Sequence, residues 1–102
     1  MDDKEFDALA QAALTRIQVG LDNAGLDFEA PADGILEVEF DDGSKMVINR
    51  HGSAREIWVA ARSGGFHFRP MGASWQDSRD GEDLYIKLAR LIAQQGGVTP
   101  VF

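Results

Sequence analysis

The chain has 102 residues, no cysteine and a formal net charge of −7. That length accommodates one domain, residues 1–102, built on a single core. Without cysteine there are no disulfides, thiolate metal sites or cysteine nucleophiles, and the acidity argues against a nucleic-acid partner, which calls for a basic face.

The first element is an amphipathic helix from Lys4 to Asp22. Phe6, Leu9, Ala10, Ala13, Leu14, Ile17 and Leu21 recur at helical spacing, with Asp2 or Asp3 as cap. Gly20 and then Asn23-Ala24-Gly25 weaken and stop it. Leu26 to Asp33, with Pro31, reads as a connection. Leu36, Val38 and Phe40 alternate with Glu37 and Glu39, the period of a half-buried strand. Asp41-Asp42-Gly43-Ser44 is a hairpin signal, after which Met46 and Ile48 face inward and Lys45, Val47 and Asn49 outward.

His51-Gly52-Ser53 connects to a strand over Ile57–Ala61, with Ile57 and Val59 inward and Trp58 outward. Ser63-Gly64-Gly65 turns into Phe66–Arg69, where the phenylalanines point in and His67 and Arg69 point out; a short strand follows around Trp75. Ser78–Gly81 is a turn, with Asp80 a candidate cap for a second helix over Glu82–Gln95. That helix gathers Leu84, Leu88, Leu91 and Ile92 on one face, and Gly96-Gly97 ends it. Hairpin-length connections demand an antiparallel sheet. The expected fold is an α+β two-layer sandwich, with about five to six strands and both terminal helices on one face. The other face is then left to solvent or a partner.

Charge is unevenly placed along this plan. Residues 1–42 hold twelve acids against two bases, and the remainder five acids against eight bases. Carboxylates are oxygen donors suited to hard cations, including iron and other divalent ions. Asp3 and Asp7, one helical turn apart, can share such an ion at an exposed, weak site. The two histidines lack zinc-site spacing, and no Gly-x-Ser-x-Gly or phosphate loop occurs. An enzyme is therefore not expected. Trp58, on the open face, has the character of an interface anchor. No apolar run approaches the ~18 residues of a membrane span, and the opening Met1-Asp2-Asp3-Lys4-Glu5 has no leader character, so a cytoplasmic protein is expected.

Asn49-Arg50-His51, Glu56-Ile57-Trp58-Val59, Gly64-Gly65-Phe66-His67-Phe68, and Trp75 with Asp77–Gly81 resemble the signature of the frataxin family. The opening, with Glu5-Phe6 and Leu9-Ala10, resembles its bacterial members, and the likeness spans nearly the whole chain. The resemblance implies weak, exposed iron binding (Fe²⁺ or Fe³⁺) along an acidic ridge. It also implies association with the cysteine desulfurase and scaffold of iron–sulfur cluster assembly, by a monomer capable of iron-dependent oligomers. Asp3, Asp22, Asp27 and Glu29 fall at ridge positions. Asp7, Glu37 and Glu39 are neighbouring additions, and Asn49, Arg50, Trp58 and His67 are the expected partner-binding residues of the sheet. Gln18, Val19 and Asn23 stand where further carboxylates are expected, and His51 replaces a usual glutamine. The thinned ridge leaves a rival reading open, a metal-independent electrostatic adaptor that modulates the desulfurase. An iron oxidase or small hydrolase is a third and weaker one.

Overall fold

Alternating strands joined by short turns produce a meander. In the computed structural model, which describes residues 1–102, helix α1 (Asp3–Asn23) precedes six strands. These are β1 (Asp27–Ala32), β2 (Ile35–Glu39), β3 (Lys45–His51), β4 (Glu56–Ala61), β5 (Gly64–Met71) and β6 (Ser74–Asp77); helix α2 (Leu84–Gly96) closes the chain. The sheet order is the chain order, and every neighbouring pair is antiparallel. The apolar stripes of both helices and the inward strand positions merge into one core of 19 buried residues. Within it the rings of Phe6 and Trp75 meet edge to face. The α+β sandwich expected from the sequence is thus the observed fold.

Several local readings are corrected. Leu26–Asp33 is not a plain connection, because Asp27–Ala32 is an edge strand. It was hidden because only Phe28 of its six residues is half-buried, so it carries no alternation. Pro31 is tolerated where the strand has one neighbour and the register slips between Glu29 and Ala32. Leu9 belongs to the helical stripe by spacing yet is 38% exposed. Asp2 caps α1, accepting from the Glu5 N–H at 2.8 Å. The cap of α2 is Asp83, which accepts from Tyr85 and Ile86, and not Asp80, which accepts from the Glu82 N–H instead.

Gly20 does not end α1. It lies buried inside the helix, and a Cβ there would collide with the Phe102 ring. The helix runs on to Asn23, and Gly97, with φ 74°, is the left-handed cap of α2.

Candidate docking face

The face of the sheet turned away from the helices is built by strand parity. Asp27 and Glu29 of β1, Glu37 and Glu39 of β2, Lys45, Val47, Asn49 and His51 of β3, Glu56 and Trp58 of β4, and His67 and Arg69 of β5 all alternate with buried or inward residues. Antiparallel register sets them in rows. Glu29 is opposite Glu37, and Asp27 is opposite Glu39. Asn49, Trp58 and His67 form another row across β3, β4 and β5.

At the β1–β2 end, four carboxylates and Lys45 surround one shallow hollow. The Lys45 ammonium reaches Glu37 at 2.9 Å. Its hydrogen bond and attraction to Glu37, with Glu39 and Glu29 behind, raise its pKa above the ordinary lysine value. One lysine thus offsets two rows of directly opposed carboxylates, and like charges in that position destabilise a sheet. Glu29→Gln is therefore expected to raise stability by about 0.2–1 kcal/mol at low ionic strength, a gain that fades as salt screens the repulsion. Melting temperatures of both forms across a salt series measure this. A substitution that lowers stability, or a gain indifferent to salt, would mean that these acids do not repel.

In the middle of the face the rings stack. The Trp58 indole is sandwiched between two imidazoles, His51 at 3.7 Å between centroids and 17°, and His67 at 4.5 Å and 18°. The indole N–H donates to Glu56 at 3.0 Å, and the Ala54 N–H donates to Nδ1 of His51 at 3.2 Å. Trp58 is half-buried, as expected of an outward strand residue covered only by its neighbours.

The seven candidate metal residues do not gather in one place, although Asp27, Glu29, Glu37 and Glu39 share the hollow at the β1–β2 end. Asp3 and Asp7 lie at the start of α1, where Asp3 pairs with Arg55 at 2.7 Å and Asp7 with Arg50 at 3.8 Å. Asp22 is near the other end of that helix, roughly 28 Å away at 1.5 Å per residue. Asp27, Glu29, Glu37 and Glu39 occupy the open face. No group of three or more His, Asp or Glu side chains is arranged to hold a metal ion.

Arg50 is not on the open sheet face with Asn49, Trp58 and His67. Its parity turns it to the helix side, where it bridges Asp7 and, at 3.1 Å, Asp33. His51 and Glu56 were absent from the expected partner-binding set. Continuing the outward alternation from Asn49 to His51, and back from Trp58 to Glu56, places both beside the indole.

An acidic sheet edge and an aromatic centre, on a six-strand meander backed by two helices, define a frataxin-type sandwich with an open face. A solved structure, titled as frataxin from Psychromonas ingrahamii within a study of the CyaY family, superposes with TM-score 0.90 at 27% identity, covering 98% of this chain and 96% of that one. The frataxin-like domain model matches residues 1–98. A protein of Dechloromonas aromatica named iron-sulfur cluster assembly protein CyaY is 58% identical over 99 residues, spanning 95% of this chain and 94% of its own. One of Ralstonia nicotianae with the same name is 44% identical over 103 residues, 96% and 91% of the two chains. The chain belongs to the frataxin family. No helix is long and apolar enough to cross a membrane.

Proposed function

We propose that this chain serves iron–sulfur cluster assembly as an iron-responsive regulator or iron donor that binds the cysteine desulfurase and the scaffold. The observation that carries the reading is the open face itself, in which opposed carboxylate rows adjoin a stacked tryptophan on a sheet that the helices leave uncovered. The acidic edge attracts a basic patch, which speeds association and makes it salt-dependent. Trp58, Asn49 and His67 supply the contact area. Iron enters as an exposed, weakly held cation at the carboxylates, changing their charge and with it the affinity for the partner.

Pull-down with the desulfurase and scaffold tests this. Trp58→Ala combined with Glu29→Gln and Glu37→Gln is expected to weaken capture at least tenfold, since the loss of one hot-spot aromatic costs about 2 kcal/mol or more. Undiminished capture would sink the reading.

A metal-independent adaptor is the second reading. It is favoured by the ion pairs that already occupy Asp3, Asp7 and Glu37, and by the length of α1, which parts Asp3 and Asp7 from Asp22. An iron titration followed by NMR separates the two. Shifts confined to the Asp27–Glu39 edge support iron sensing, and silence at millimolar iron supports the adaptor.

A further inference from the structure

The β3–β4 turn is held by a histidine used as an acceptor. Nδ1 of His51 receives the Ala54 N–H at 3.2 Å, while the same ring lies flat on Trp58. This bond requires an Nδ1 without a proton, so the neutral tautomer is fixed with its hydrogen on Nε2. The turn it holds is tightly bent. Arg55 has φ 53°, in the left-handed region, and its N–H closes the turn on the Gly52 carbonyl at 3.2 Å. The Arg55 guanidinium then reaches Asp3 of α1 at 2.7 Å. One imidazole therefore touches both the central aromatic of the open face and the turn that ties that face's edge to the helix layer.

We infer that His51 is a proton-operated latch, closed on the β3–β4 turn when neutral and released from it when protonated. Adding a proton at Nδ1 converts the acceptor into a donor facing the Ala54 N–H, and two donors cannot share a hydrogen bond. The charged ring keeps its attraction for the indole face but must leave Ala54. The acceptor available to it is Glu56, its direct cross-strand partner and the residue that now holds the Trp58 N–H. Protonation thus frees the turn and draws the carboxylate away from the indole in one event.

The charged and titratable groups around the latch are Glu56 of β4, Arg55 of the turn, and Asp3 of α1 through Arg55. Asp33 of the β1–β2 turn is engaged by Arg50, the residue before His51, and His67 of β5 lies beyond the indole. Of these, Glu56 is the carboxylate set directly across the strand from His51, while Asp3 and Asp33 are held by arginines. The consequence for partner binding rests on the docking role proposed for Trp58; the latch itself does not, because it can be read in the isolated chain.

The test is a pH titration of the full chain between pH 5 and 8, following the Ala54 amide, the Trp58 indole N–H and both histidine rings by NMR. The expected result is that the Ala54 and Trp58 signals move together with the midpoint of His51. The shared movement should vanish in His51→Gln and survive in His67→Gln. An Ala54 amide that stays still while His51 titrates would overturn the inference, as would a shared titration that persists in His51→Gln. Failure of the docking reading would appear in the pull-down and leave this titration unchanged, so the two failures are distinguishable.

Discussion

Replacing Lys87 with alanine is expected to lower the unfolding free energy by about 3 kcal/mol and the melting temperature by on the order of 15 °C. Lys87 is only 4% exposed, on the core side of α2. Its ammonium meets Asp77 at 2.7 Å, Asp80 at 2.6 Å and Glu82 at 3.5 Å, and lies 5.4 Å from the Phe66 ring centroid. Asp77 is equally buried, and its remaining partner is the Arg79 N–H at 2.7 Å. Removing the ammonium leaves a buried carboxylate uncompensated, which costs far more than losing a surface pair. Lys87→Met with Asp77→Asn removes both charges and keeps an acceptor for Arg79, so it is expected to cost less than Lys87→Ala. Denaturant unfolding measures both. A cost below about 1 kcal/mol for Lys87→Ala would mean the pair is energetically a surface one.

The same cluster sets the pH limits of that stability. Burial pushes the Asp77 carboxyl up, but the Lys87 ammonium and the Arg79 N–H outweigh it, and the net movement is downward. Asp80 is lowered by Lys87 and the Glu82 N–H, and Glu82 by Arg90. Carboxyls depressed by folding stabilise the fold above their unfolded values, near 4, and that contribution is lost as pH falls through the folded values. Burial pulls the Lys87 ammonium down, while its bonds to Asp77 and Asp80 more than reverse this. Its contribution is complete below the unfolded lysine value, about 10.4, and is lost as pH rises beyond it. The difference in stability between the parent and Lys87→Ala should accordingly be flat through neutrality and narrow below about pH 4.

The second large effect lies where the C-terminal tail crosses α1. The Phe102 ring covers Gly20 and lies 6.4 Å from the Tyr85 ring, and Arg16 both donates to the Phe102 carbonyl at 3.1 Å and sits 3.8 Å over Tyr85. Deleting Val101 and Phe102 is expected to cost about 1–2 kcal/mol, because Phe102 is half-buried and yields only part of the ~1.5–3 kcal/mol of a fully buried phenylalanine. Gly20→Ala in the parent chain drives a methyl into that ring and should cost about 1–3 kcal/mol. In the shortened chain the obstruction is gone, and alanine's better helix propensity should make the same substitution stabilising by up to about 1 kcal/mol. The cycle therefore predicts a change of sign. Unfolding of the four proteins measures it, and equal effects of Gly20→Ala in both backgrounds would show that the tail does not press on the helix.

Much of this molecule is determined by periodicity and turn chemistry. Alternation in Leu36–Phe40, Ile57–Ala61 and Phe66–Arg69, with Asp42-Gly43 at a turn, is enough to place the inner strands. Alternation also turns Trp58 outward, since side chains of period two admit no other choice once Ile57 and Val59 are buried. The helical stripes of α1 and α2 follow from spacing, except that Leu9 lies exposed and Lys87 joins the buried face of α2. β1 was illegible because an edge strand with one covered residue has no hydrophobic signature.

What the chain order leaves open is which outward groups meet. Asp3, Asp7 and Asp22 share one helix, but the length of α1 parts the first two from the third, whereas the antiparallel register sets Asp27 against Glu39 and Glu29 against Glu37. Arg50, adjacent to Asn49, turns to the opposite layer to meet Asp7 and Asp33. Gly20 resembles a helix stop until Phe102, 82 positions later, occupies the space that a side chain would fill. Local sequence determines which face a residue shows. Pairing across the sheet and packing of the tail decided what it touches, because contact energies between distant segments are realised only after the chain has closed on itself.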